Sequence, residues 1–571
     1  MPYIQYESHT IKERLNSLYT KEDALQAFDA IKALLQKYKP RINTTEYHLS
    51  EIDTILITYG DQVQCIDEAP LETLNKFLDE QLKGIINSVH ILPFYPYSSD
   101  DGFSVINYSE VDPKLGSWRE IEQISDKYRL MVDSVINHVS QYSNWFKAYL
   151  ARDSEYDNYF LDIDPATDLS AVVRPRASSL LSEFTDVNGK IHNIWTTFSR
   201  DQVDLNYSNY KVLIAVLDAL FYYIQKGATL IRMDAIAFIW KEIGTSCVHL
   251  QQTHELIQLM REVLHELAPE VIIITETNVP HSENISYFGS GDDEAQMVYN
   301  FALPPLLAHS VQTSNTKKLT QWAKTLTLPS DKVCFFNFTA SHDGCGLRPV
   351  SELLSEEEIK NLVENTKQHS GLVSYRNTPE GKKPYELNCS YIDILSHPAD
   401  SVTLRVKRML LTQAVVLAMP GVPGIYFHSL VGSSNYFPGV QLSGVKRSIN
   451  REKFNYKYLL EKLTTDGNIE KTIFSAYKRL ISIRTHEKAF NPFGDFEFLD
   501  LGDSIFAILQ FSRDNKEQIL ALHNFKNSMI VVSLPDTLSY PLVDLLSERV
   551  YASACSVDLD PYQIVWLKNS I

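Results

Sequence analysis

The chain has 571 residues, 44% of them apolar and 22% charged, enough for a large core and without the polar bias of a disordered protein. Its formal net charge of −18 argues against a nucleic-acid surface, which needs concentrated lysine and arginine. No apolar run is long enough to span a membrane, the six cysteines (Cys65, Cys247, Cys334, Cys345, Cys389, Cys555) form no Cys-x-x-Cys pair, and the opening MPYIQYESHTIKERL lacks the order of a signal peptide, so a reduced, cytoplasmic protein is expected.

Residues 8–39 read as helical. Leu15, Leu18, Leu25, Phe28, Ile31 and Leu35 recur at steps of three and four, Thr20 is placed to cap a second helix, and Pro40 to stop it. Short β-branched runs then alternate with helical stretches: TILITYGD (54–61), VHILPFYP (89–96), LMVDSVIN (130–137), TLIRMDA (229–235), VIIITET (271–277), MVYNF (297–301), CFFNFTASHD (334–343) and VPGIYFH (422–428). This alternation predicts an α/β protein built on a parallel (β/α)8 TIM barrel. Polar residues follow each apolar run at its C-terminal end, where such a barrel carries its active site: Asp133, Asn137 and His138, then Arg232 and Asp234, then Glu276, then His342 and Asp343.

Two segments break the alternation. Between the third and fourth strands lie about ninety residues, too many for one helix and a loop, which predicts an inserted B domain over the rim. From about residue 490 the runs FEFLDL, IFAILQFSR, QILALHN, MIVVSL and QIVWLKN predict a C-terminal all-β domain. The expected organisation is a helical extension at 1–50, a barrel at 51–138 and 206–488 interrupted by the insertion at 139–205, and the β domain at 489–571.

Arg232 and Asp234 stand in an otherwise apolar run, LIRMDAIAF. Two charges so placed are either a mutually neutralised structural pair or a functional one, and the run alone leaves both readings open. The ordered set Asp133-x-x-x-Asn137-His138, Arg232-x-Asp234, Glu276 and His342-Asp343 resembles the α-amylase family of glycoside hydrolases, from about Asp53 to the C-terminal β domain. The resemblance implies Asp234 as nucleophile, Glu276 as general acid/base, and Asp343 as the carboxylate that binds the sugar and steadies the transition state. Arg232 would then favour the ionised form of Asp234, while Glu276 would need a raised pKa to keep its proton. A retaining enzyme would hold the two carboxyl groups about 5–5.5 Å apart.

Further runs, ILPFYPYSSDDGFSVINYSEVDPKLGSW (91–118), RPR (174–176), KEIGTSC (241–247), NFALPPLLAHS (300–310) and KRSINR (446–451), are similar to the sucrose-phosphorylase subfamily, which splits α-glucosides with inorganic phosphate to α-glucose 1-phosphate. That likeness implies that Asp100, Phe103, His138, Phe198, Arg232, His342 and Arg447 hold the glucosyl unit and that Arg176 gathers phosphate. Core packing is the other reading of Phe103 and Phe198, and a surface position that of Arg176. TETNVPHSENISYFGSGDDEAQM (275–297) departs from the sucrose enzymes. With the N-terminal extension and SYRNTPEGKKPYELNCSYID (374–393) it resembles glucosylglycerate phosphorylases. A glycerate carboxylate would need a positive or hydrogen-bonding partner, for which Arg376, Lys382, Lys383 and Asn278 are candidates, with Phe238 on the same side.

The expected partners are a small glucoside and phosphate as co-substrate, with no nucleic acid and no membrane; a homodimer is compatible with the sequence. No cofactor and no metal is expected, although the asparagine matching Asn137 often binds calcium in amylases. The rival readings are a phosphorylase of sucrose or glucosylglycerol, a hydrolase of the same family, and a non-catalytic transport-associated subunit, which would lose the carboxylates this chain keeps.

Overall fold

The computed structural model describes residues 3–42, 47–176, 178–378, 381–536, 538, 541–553 and 555–569; residues 1–2 and 43–46 of the expected extension lie outside them. Each of the eight apolar runs forms one strand: β1 (Ile55–Thr58), β2 (Ser88–Ile91), β3 (Arg129–Ser134), β4 (Ala228–Met233), β5 (Ile272–Thr275), β6 (Met297–Tyr299), β7 (Cys334–Phe338) and β8 (Val422–Tyr426). All pair in parallel in chain order, and β8 closes on β1. Strands buried on both faces must be apolar along their length, and β1, β2, β5, β7 and β8 are buried at every residue. Inside the barrel Gly424 leaves the room that the Phe336 ring fills, since a Cβ there would stand 2.4 Å from the ring's Cζ.

The N-terminal extension is two helices, α1 (Tyr3–Leu18) and α2 (Lys21–Tyr38), and the Thr20 side chain accepts the Asp23 N–H at 3.2 Å to cap the second. They lie on the barrel helices Gln251–Leu267 and Tyr210–Gln225. Leu15, Ala27, Phe28 and Ile31 are buried there, but Leu25 is 61% exposed, against the expected stripe. The true stripe on α2 is Ala24, Ala27, Phe28 and Ile31, one complete i, i+3, i+4, i+7 series, and Leu25 is turned about 100° away from it.

Two long excursions rise from the C-terminal rim. The one after β3 starts with His138–Ser140, which pairs antiparallel with Gln202–Asp204 on its return, and it holds the hairpin Leu181–Thr185 and Ile191–Trp195. Phe146, Tyr149, Phe160 and Phe184 pack edge to face and stacked to give it a core. The excursion after β7, which the sequence reading passed over, contains a three-stranded sheet of Cys345–Gly346, Gly381–Asn388 and Leu372–Thr378. Its hairpin alternates weakly and its charged stretch Gly381–Lys383 is exposed, so it carries little hydrophobic signal.

The C-terminal part is a six-stranded sheet in the order Phe496–Leu499, Ile505–Phe511, Gln518–Asn524, Ile564–Asn569, Leu542–Asp544, Val550–Tyr551, with a two-stranded sheet of Ile530–Ser533 and Ser556–Leu559. Leu520, Leu522, Val532 and Val557 meet in one core. No helix of the described residues is long and apolar enough to cross a membrane.

Candidate active site

Strand register sets the central groups. Asp133 stands opposite Arg232 across β3 and β4, and Met233 stands opposite Thr275 across β4 and β5. The next residues along those strands, Asp234 and Glu276, therefore leave the rim side by side. Backbone bonds extend the register one step past the strands, from Asp234 N–H to the Ser134 carbonyl (3.2 Å) and from Glu276 N–H to the Met233 carbonyl (3.1 Å). Ala235 follows with φ of 50°, a left-handed conformation costly for a residue with a Cβ, and this turn aims its N–H at Glu276 Oε2 (3.1 Å).

Arg232, 2% exposed, ties the group together. Its Nη1 donates to Asp133 and, at 2.9 Å, to Asp234 Oδ1, while its Nη2 lies 3.7 Å from Glu276 Oε2. His90 bonds the far side of Asp133 at 2.7 Å, and the rings of Tyr299 and Phe103 lie 5.4 and 5.7 Å from the guanidinium. The charged pair in LIRMDAIAF thus belongs to a buried polar network that opens on a cavity.

Burial raises Asp234 well above the ordinary carboxylate range, and crowding by Glu276, Asp133 and Asp343 adds to it. Arg232 opposes that rise without overcoming it, because its one charge is divided among Asp133, Asp234 and Glu276. Burial and the nearby Asp343 raise Glu276 as well. Each charge disfavours the other, so the two carboxyl groups titrate as a coupled pair. The hydrogen bond from Arg232 favours the charge on Asp234, and the Ala235 N–H does the same for Glu276. Asp343 goes the other way: burial opposes its charge, but Arg447 and its other cationic neighbours hold it well below the usual range.

The residues expected to hold the glucosyl unit converge on the same cavity: Asp100, Phe103, His138, Phe198, His342 and Arg447 line it with Asp234, Glu276 and Asp343, and Arg232 lies beneath. Phe103 stacks on His342 with centroids 4.5 Å apart and planes at 4°. Burial lowers His342 to about 3 and lowers His138 too, so both imidazoles are neutral. Asp100 and Asp101 lie 3.8 Å from Arg451, which also donates to the His342 carbonyl at 2.8 Å. Phe198 meets Phe238 edge to face at 5.4 Å.

On the outer side the wall carries Arg176, Phe238 and Asn278, as expected, but not Arg376. Arg376 pairs with Lys383 across the hairpin, and both face a neighbouring depression lined by Ile359, Val363 and Tyr375; Lys382 is exposed on the same hairpin. The hairpin instead turns Tyr385 into the cavity, and Glu386 from the same strand holds Arg447 at 2.7 and 3.1 Å. Sequence reasoning also missed Gln202 and Arg348 on this wall. Tyr385 and Glu386 lie within the 374–393 run, beside its more conspicuous lysines. Knowing which face of a strand points inward requires the sheet. Arg176 is set by a backbone bond from Val173 N–H to the Ser246 carbonyl at 3.0 Å, joining the excursion after β3 to the loop after β4.

Asn137 does not line the cavity. Its Oδ1 accepts from Lys241 Nζ at 2.9 Å, and the same ammonium lies 2.8 Å from Asp204 Oδ2, with both charged side chains buried. A lysine of this chain supplies the positive charge that this asparagine and aspartate face.

Residues 80–366 match the family model described as Alpha amylase, catalytic domain. The chain is 42% identical over 576 residues to a glucosylglycerate phosphorylase of Spirochaeta thermophila, covering 98% of both chains. It is 44% identical over 522 residues to a glucosylglycerate phosphorylase of Escherichia coli, covering 91% of this chain and 92% of that one. The crystal structure of sucrose 6F-phosphate phosphorylase from Thermoanaerobacter thermosaccharolyticum superposes with a TM-score of 0.73 at 23% identity, over 83% of this chain and 94% of that one.

Proposed function

The chain belongs to the α-amylase family, and from that premise we propose that it is a retaining phosphorylase of 2-O-α-glucosylglycerate, releasing α-glucose 1-phosphate and glycerate. The observation that carries the mechanism is the pairing of Asp234 and Glu276 on adjacent strand ends around one guanidinium. An oxygen of Asp234 attacks the anomeric carbon as its bond to the glycerate oxygen breaks, and Glu276 gives that oxygen its proton. The product is a β-glucosyl ester of Asp234. A hydrogen phosphate ion then attacks the same carbon from the face the glycerate left, the ester bond breaks, and the phosphate's proton returns to Glu276. Two inversions leave the α configuration. The identity to glucosylglycerate phosphorylases over nearly the whole chain supports the acceptor assignment.

The reading needs no cofactor beyond phosphate, since Asp234, Glu276 and phosphate balance every bond and proton. It needs no metal either: Lys241 already neutralises Asp204 beside Asn137. Arg176 lies on the cavity wall, forms no ion pair with a carboxylate among the described residues, and is the cation this reading gives to phosphate. We place the protein in the cytoplasm, in keeping with six free cysteines.

The test is to incubate the protein with 2-O-α-glucosylglycerate and phosphate and follow products by NMR. Predominant α-glucose 1-phosphate is expected. Free glucose as the main product would make the enzyme a hydrolase, and a β-phosphate would exclude the double displacement.

A further inference from the structure

Two of the four arginines at the cavity are committed to carboxylates. Arg447 is held by Asp343 and Glu386, and Arg232 by Asp133, Asp234 and Glu276. Arg348 is not. It lies on the cavity wall with a side chain 15% exposed, and its ion-pair partner among the described residues, Glu283, stands off at 3.7 Å. We propose that Arg348 is the specificity-determining residue that reads the carboxylate of the acceptor, and that Glu283 positions it. The proposal rests on the phosphorylase reading above and names the group that selects its acceptor.

The local structure is built around this arginine. Gly346, two residues before it, leaves no room for a side chain: a Cβ there would lie 2.7 Å from both amide atoms of Asn278. The turn that presents Arg348 is therefore seated against Asn278, which lines the same wall. Asn278 Oδ1 is buried there with no hydrogen-bond partner.

Glu283 belongs to a chain of its own. His249 Nε2 bonds Glu283 Oε2 at 3.1 Å, and His249 Nδ1 pairs with the Tyr287 hydroxyl at 2.8 Å. Burial lowers His249 to about 4, so the ring is neutral, donates one N–H to Glu283 and leaves the carboxylate's charge to face Arg348. Asn278, Glu283 and Tyr287 all lie in 275–297, the run that departs from the sucrose enzymes, whose acceptor carries no charge. A guanidinium offers two parallel N–H groups to a carboxylate, a contact a neutral acceptor cannot return.

The experiment runs the reaction in reverse, with α-glucose 1-phosphate and either D-glycerate or glycerol, the same three carbons without the charge. For Arg348→Gln, kcat/KM with glycerate should fall about 100-fold through KM, while glycerol changes by less than about threefold. Arg348→Lys should recover part of the glycerate activity, and Glu283→Gln should cost glycerate about tenfold with glycerol little changed. Arg513→Gln, exposed and outside the cavity, should leave both acceptors as they are. Equal losses with glycerate and glycerol, no loss with either, or a rise in phosphate KM with glycerate untouched would overturn the role of Arg348. Should Arg348→Gln fail to fold, the lysine and Glu283 variants read the same split. A wild-type protein that makes no product from glycerate would overturn the phosphorylase reading itself, which the variants do not touch.

Discussion

Asp133 and Arg232 face each other directly across β3 and β4, and the guanidinium that Asp133 holds is the one that reaches Asp234 and Glu276. Removing Asp133 would leave a buried cation short of one partner. Asp133→Ala should destabilise the protein by about 3–5 kcal/mol, read by urea denaturation, because it breaks a buried ion pair and leaves buried His90 and an Arg232 N–H without their acceptor.

Asp234→Asn should behave in the opposite sense. Burial and neighbouring carboxylates disfavour the Asp234 charge, so the amide relieves crowding while Arg232 keeps Asp133. Turnover should fall by about 10⁴-fold or more with the melting temperature equal to or above wild type. Retained activity would remove Asp234 from the nucleophile role.

The pH dependence follows from the raised pair. A carboxyl raised on folding keeps a proton that the unfolded chain releases, so stability falls as pH rises from the ordinary carboxylate range through the folded pKa of Asp234 and Glu276. Asp343, held low, contributes stability above its ordinary pKa that is lost as pH falls through its folded value. In the variant Glu276→Gln the alkaline fall in kcat/KM should disappear. Its residual turnover should be largest with α-glucosyl fluoride, whose leaving group needs no proton. pH–rate profiles with the two substrates check both points.

Lys241 is the internal counterion of Asp204. Lys241→Met should cost about 3–5 kcal/mol, and the double change Lys241→Met with Asp204→Asn should recover part of it. Thermal unfolding of the three variants measures the coupling; an unrecovered double variant would mean that the contact matters through packing alone.

Removing residues 1–42 would uncover the barrel helices that Leu15, Ala27, Phe28 and Ile31 cover. The truncated protein should melt lower and aggregate more, while any folded fraction keeps its kcat, because α1 and α2 contribute no group to the cavity. Light scattering and active-site titration separate the two effects.

The elements whose physics is local were legible in the chain alone. Strands buried on both faces must be apolar, so all eight barrel strands showed as β-branched runs, and Asp234, Glu276 and Asp343 stood out by following them. The Thr20 cap needed only its own neighbours. Side-chain direction on a half-exposed hairpin was decided by tertiary structure: Arg376 and Tyr385 lie in one charged stretch, and only pairing in the sheet turned the tyrosine inward and the arginine away. Proton placement was likewise out of reach of sequence, since the charge on Asp234 depends on how many carboxylates share one guanidinium, a count that folding alone makes. Arg348 is the same case: its role follows from Glu283 and Asn278, residues about seventy positions away in the chain that the barrel rim brings to its side.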